Sequence, residues 1–89
     1  MTNNSETTEQ ATSTTGVILS LHRFKNGFLH VESSKPFPPG APVTLAWRDT
    51  EMTGKSTGAK KNAAGQFDTK LRMLNLTRTQ LAMLTEHLG

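Results

Sequence analysis

Cysteine is absent from the 89 residues. No disulfide and no thiolate metal site can therefore support the fold, and a reducing, cytoplasmic setting is expected. Long apolar runs are also missing. Nothing approaches the roughly 18 residues that a membrane helix requires, so no membrane insertion is expected. The start, Met1-Thr2-Asn3-Asn4-Ser5, has neither the basic opening nor the apolar stretch of a secretion signal. Aromatic residues are few: Phe24, Phe28, Phe37, Phe67 and Trp47. A stacking surface for nucleic acid needs exposed rings, and most of these five are needed in a core. Acids are scarcer than bases, seven against ten, for a formal charge of +3 and a pI near 9.7. A basic small domain is attracted to phosphates, whether on nucleotides, nucleic acid or lipid.

What is present suffices for one small domain with a thin stability margin. Met1 to Thr15 is Thr, Asn, Ser, Glu and Gln with almost nothing apolar. Such a segment offers too little surface to offset its ordering entropy, so residues 1–15 are expected to be a disordered tail. The tail holds Glu6 and Glu9 and no base, which leaves ten bases against five acids over residues 16–89, a formal +5.

From Gly16 onward the pattern is mainly β. Val17, Leu19 and Leu21 alternate with Ile18, Ser20 and His22, with Phe24 extending the strand. Lys25-Asn26-Gly27 is a hairpin turn, because Asn-Gly supplies positive φ. Phe28 to Glu32 is the returning strand, with Leu29 and Val31 inward. All four prolines fall between Ser33 and Pro42, which makes that stretch a loop or edge. Phe37 within it is placed to plug the core, and Pro39-Gly40 to turn. Val43, Leu45 and Trp47 mark the next strand. Met52 to Lys55 can begin another, with Lys60 to Gly65 a hairpin tip. Gln66 to Leu74 alternates Phe67, Thr69, Leu71 and Met73 with Gln66, Asp68, Lys70 and Arg72. Thr77 and Gln80 form a capping box for a final helix. Its Leu81, Leu84 and Leu88 are expected to be buried on the barrel, leaving Arg78, Thr85 and Glu86 exposed. The fold class is a small antiparallel β-barrel over residues 16–89 with a C-terminal α-helix closing one mouth.

Catalytic chemistry is not evident. Gly54-Lys55-Ser56 ends like a P-loop, but Asp49 stands where the pattern requires its first glycine, and a turn in a strand connection is the expected structure. His22, His30 and His87 share no metal-ligand spacing and no acid clusters with them in sequence. Ser20 and His22 share a strand face without an orienting carboxylate, which nucleophilic catalysis requires. Trp47 shares the face of Val43 and Leu45 and belongs to the core. No enzyme activity, metal or cofactor is expected. Lys60 and Lys61 are candidates for phosphate contact.

In order of features, residues 16–89 resemble the PilZ domain family. The corresponding segments are Val17 to Ser20, then Gly27-Phe28-Leu29-His30-Val31. Phe37-Pro38-Pro39-Gly40-Ala41-Pro42-Val43-Thr44-Leu45 follows, then Met52 to Thr57, Gln66 to Leu74 and Thr77 to Leu88. The resemblance implies a six-stranded barrel with a helix. It also implies a family ligand, cyclic di-GMP, bound through an Arg-x-x-x-Arg motif before the barrel and an Asp/Asn-x-Ser-x-x-Gly motif on a strand. The tail here has no arginine, and Ile18 and Arg23 replace the acidic or amide residue and the glycine around Ser20. The resemblance therefore implies a bacterial regulatory adaptor that works through a protein partner rather than the dinucleotide. Arg23 and Lys25 are the bases nearest the family's site, and cyclic di-GMP through them is a weaker reading. The alternative of a different class is a small basic nucleic-acid-binding barrel.

Overall fold

The computed structural model describes residues 9–89. Six strands and one helix follow in order: β1 (Glu9–Ser13), β2 (Ile18–Lys25), β3 (Phe28–Ser33), β4 (Pro42–Trp47), β5 (Thr50–Lys61), β6 (Phe67–Leu74) and α1 (Arg78–Leu88). The strands close into an antiparallel barrel in the order β1-β2-β3-β6-β5-β4. The expected mainly-β barrel with a C-terminal helix is what forms.

Closure depends on a segment that the sequence reading placed in a disordered tail. Glu9–Ser13 form β1, which pairs with β2 through Ala11↔Leu19 and with β4 through Ser13↔Leu45. The expectation for residues 1–15 is thus wrong from residue 9 onward, and residues 1–8 lie outside the described residues. Ala11 and Ser13 point inward and are buried. Their small side chains let β1 pass close to the large residues of β2 and β4. Pairing on both edges, rather than intrinsic strand preference, makes this stretch a strand. Residues 9–89 accordingly carry ten bases against six acids.

Inward positions follow the alternation. Leu19, Leu21, Phe24, Leu29, Val31, Val43, Leu45, Trp47, Met52 and Leu71 build the core, with Phe37 packed against it. Asn26 (φ 55°) and Gly27 (φ 81°) give the tight turn between β2 and β3. Two bulges interrupt the ladders. On β2 the register steps from Leu21↔Val31 to Arg23↔His30, leaving His22 as the extra residue. On β5 it steps from Ser56↔Leu71 to Ala59↔Thr69, so Thr57 and Gly58 oppose Lys70. The β2 bulge returns Phe24 to the interior while both His22 and Arg23 stay outside.

The Gly54 to Gly58 fragment is continuous strand with a bulge, not a turn. Gly54 is buried, and a Cβ there would lie 2.8 Å from Met73 Sδ and 3.2 Å from the Arg72 carbonyl, so the glycine permits close approach of β6 rather than cradling phosphate. Lys60 and Lys61 end β5, and the hairpin tip begins only at Asn62.

Helix α1 starts as expected. The Gln80 amide donates to Thr77 Oγ1 (3.1 Å) and the Thr77 amide donates to Gln80 Oε1 (3.0 Å). Gln80 Nε2 also donates to Thr50 Oγ1 (2.9 Å) and to the Glu51 carbonyl (2.8 Å), which ties the first helical turn to the start of β5. Leu84 is fully buried and Leu88 packs partly on the core, but Leu81 is 47% exposed. Its expected burial is not observed because the polar Gln80 tether, about 100° round the helix, holds that turn to the barrel instead. Arg78, Thr85 and Glu86 are exposed as expected. Among the described residues no helix is long and apolar enough to cross a membrane.

Candidate functional site

The outer face of β2, β3, β6 and β5 is where the strand register gathers charge. One cross-strand row reads Lys25, Phe28, Arg72, Lys55. The next, one pleat further along, reads Arg23, His30, Lys70, and meets the β5 bulge at Thr57 and Gly58. A third reads Ser20, Glu32, Asp68, Lys60. Intervening rows, such as Phe24, Leu29, Leu71, Ser56, are buried, so the three rows share one exposed face. Six of the ten Lys and Arg residues stand on it.

The two acids of the face are already engaged. Asn62 Nδ2 donates to Glu32 Oε2 (2.6 Å) and Asp68 Oδ1 (3.0 Å), and His22 Nε2 lies 3.3 Å from Glu32 Oε1. The Asn62 side chain is fixed in turn by accepting from the amides of Ala64 and Gln66. Asn62 thus ties both carboxylates to the hairpin tip, while Asp68 still lines the cleft beside the middle row. Among the described residues no ion pair involves Arg23, Lys60 or Lys70. Lys70 Nζ instead lies 5.0 Å from the centre of the partly exposed Phe28 ring. Like charges directly opposed across strands disfavour the sheet, and Lys55 stands directly opposite Arg72.

Between the two bulges this face hollows into a cleft of about 410 Å³, walled among others by His22, Arg23, His30, Lys60, Asp68 and Lys70. The bulges shape it, since each lifts one strand locally out of the pleat. His30 stands between Arg23 and Lys70 in the row that lines it. Burial, and then the neighbouring charges of Arg23, Lys70 and His22, hold its imidazole below the ordinary histidine value. No hydrogen bond among the described residues engages the ring.

Of the candidate phosphate contacts, Arg23 and Lys60 line the cleft; Lys25 lies one row away, and Lys61 is not part of it. His30, Lys70 and Arg72 were not among the candidates. The signal for them was present in the polar alternation of β6 and in the hairpin turn that fixes Arg23 opposite His30. The β2 bulge, which the sequence pattern does not reveal, brings His22 and Arg23 to one side.

Two further sequence readings are revised. An acid does stand beside a histidine, since Glu32 pairs with His22, and Ser20 is in register with Glu32. No hydrogen bond joins Ser20 to His22 among the described residues, and both acidic oxygens of Glu32 are taken up by His22 and Asn62. No group of three His, Cys, Asp or Glu side chains gathers as a metal site would require, among the described residues. Trp47 is core, 2% exposed, and its indole N–H donates to Glu9 Oε1 (3.0 Å). Arg48 grips the same carboxylate with Nε (3.1 Å) and Nη2 (2.8 Å), so it belongs to barrel closure and not to the basic face. No protein-family model, no curated protein and no solved structure matches the chain.

Proposed function

We propose that the chain is a non-catalytic binding domain, a PilZ-like regulatory adaptor, which docks an acidic segment of a protein partner on the outer face of β2, β3, β6 and β5. The observation that carries this reading is the pair of cross-strand rows Lys25–Phe28–Arg72–Lys55 and Arg23–His30–Lys70. Solvated bases on a sheet face are commonplace, but like charges directly opposed, as Arg72 and Lys55 are, cost the sheet stability. Within the three rows the two acids, Glu32 and Asp68, are confined to the third, which leaves the other two rows basic and open to an external anion. Local rules of this kind are broken where function requires it.

The test is affinity capture from the native cell with the intact chain and with the double variant Lys55→Glu, Arg72→Glu. A protein bound in stoichiometric amount by the parent, released by salt and missing from the variant, is the expected result. Capture dominated by nuclease-sensitive material would overturn the protein-partner reading.

One observation favours a second reading, single-stranded nucleic acid. Phe28 is flanked by Lys25 and Arg72 with Lys70 over its ring, an arrangement that can hold one base while bases grip the backbone. Binding to single-stranded DNA and RNA with a steep inverse dependence on salt would establish it. Cyclic di-GMP, the ligand that the resemblance implies, is not expected to bind, since Ile18 occupies the motif's acidic or amide position and is 58% exposed. Calorimetric titration should give no heat; micromolar binding abolished by Arg23→Ala would restore the dinucleotide.

A further inference from the structure

We infer that the cleft between the two bulges is a proton-linked subsite for a phosphoryl group, in which Arg23 and Lys70 hold the anion and His30 takes up a proton as it binds. The inference rests on the reading of this face as the binding surface and names what its centre accepts. Arg23, His30 and Lys70 are consecutive in one cross-strand row. Adjacent strands lie about 5 Å apart, so Arg23 and Lys70 are rooted about 10 Å apart on either side of the ring, a span that their long side chains can close over one anion. Arg can present a two-pronged donor and Lys a point charge.

The groups facing His30 come from every strand around it: His22 and Arg23 from β2, Glu32 from its own strand, Asp68 and Lys70 from β6, and Lys60 from β5. Glu32 and Asp68 keep their charge while bonded to Asn62, so the three bases Arg23, Lys60 and Lys70 outnumber the single carboxylate, Asp68, that lines the cleft. A partly buried ring in such surroundings resists protonation. A dianion placed between Arg23 and Lys70 reverses that balance, because it supplies the opposite charge that favours imidazolium. By linkage, whatever raises the proton affinity of the ring must bind more tightly when the ring is protonated.

Sulfate is the probe for the linkage, because it does not itself titrate near neutrality. The His30 ring signals should be followed by NMR across pH, with and without saturating sulfate. An upward shift of the His30 midpoint by about half a pH unit is expected, equivalent to about threefold tighter binding by the protonated form. His30→Gln should retain sulfate binding and lose its pH dependence. Lys70→Gln should weaken it at every pH. An unchanged midpoint in sulfate, or a pH dependence that survives His30→Gln, would overturn the linkage.

Inorganic phosphate, a phosphoserine peptide and a nucleoside 5′-monophosphate, compared at one pH, distinguish the sources of the group. Binding of any of them that is lost in Arg23→Gln supports the subsite, and binding of none overturns it. Lys55→Glu with Arg72→Glu lies outside the cleft and should leave sulfate binding by the subsite detectable while abolishing partner capture. Partner capture lost in that variant with no anion binding in the parent chain would sink the subsite and leave the docking face standing.

Discussion

At the scale of single residues, two buried polar side chains behave in opposite ways. Thr69 faces the interior in the row of Leu21, Val31 and Ala59, and its hydroxyl is buried without a hydrogen-bond partner among the described residues. A buried donor left unmade costs roughly 1–3 kcal/mol, while an apolar group of the same shape avoids that cost. Thr69→Val should therefore stabilise the domain, by about 1 kcal/mol or more, which for a chain of this size raises Tm by roughly 4–8 °C per kcal/mol. A fall in Tm on thermal unfolding would show that the hydroxyl has a partner in solution. Glu9, in contrast, accepts from three donors on Trp47 and Arg48. Hydrogen bonding to Arg48 first, and then to Trp47, holds its carboxyl below the ordinary glutamate value. A carboxyl depressed in the folded state stabilises above its unfolded pKa and loses that contribution as pH falls through the folded one. Acid titration of stability should therefore show a loss below about pH 4 that Glu9→Gln removes, together with a Tm lower by a few degrees at neutral pH. His30 acts in a separate window. Its folded value lies below the unfolded one, so stability should decline as pH falls through about 6.5, and His30→Gln should flatten that region alone.

At the scale of elements, the helix and β5 carry the clearest consequences. Leu84 is fully buried and Leu81 is not, although both sit on what reads as one stripe. Leu84→Ala should cost roughly 2–5 kcal/mol, enough to threaten a domain whose whole stability is of order 5 kcal/mol. Leu81→Ala should change it by less than about 0.5 kcal/mol. Equal losses in urea unfolding would mean that the stripe docks along its whole length. Gly54→Ala places a methyl against Met73 Sδ and the β6 backbone; overpacking of this kind typically costs about 1–3 kcal/mol. The contrast also shows what the sequence could reveal. Alternation exposed β2, β3, β4 and β6, and the capping box at Thr77 and Gln80 located the helix start, because these are local patterns. Leu81 was misplaced because its environment depends on Gln80 reaching a hydroxyl and a carbonyl thirty residues away. The basic rows needed register as well as alternation, and Arg23, inward by strict alternation, was turned outward by a bulge that no periodicity marks.

At the scale of the whole molecule, the barrel exists because a polar pentapeptide closes it. Glu-Gln-Ala-Thr-Ser has no apolar residue larger than alanine, so nothing in its composition marks β1; only the exposed edges of β2 and β4 give it a place. Without it those two strands would present unpaired amides and carbonyls over buried leucines, a template for pairing with other chains. Trp47 would also lose the acceptor for its indole N–H. A chain beginning at Thr14 should therefore unfold at lower urea and associate with rising concentration, as read by sedimentation velocity. Truncation alone leaves open a simple effect of length, so a point variant is needed beside it. Ala11→Asp keeps every residue but places an unpaired carboxylate at a position 4% exposed, opposite Leu19. Burying such a charge costs several kcal/mol, and the variant should fail as the truncation does. If instead both chains kept the parent's unfolding midpoint and stayed monomeric, β1 would be an adornment and the barrel would stand on five strands. The basic face is assembled from β2, β3, β6 and β5, two of them neighbours of the closing strands β1 and β4. Loss of closure should therefore also abolish anion binding in the cleft, linking the least conspicuous segment of the chain to the site it never touches.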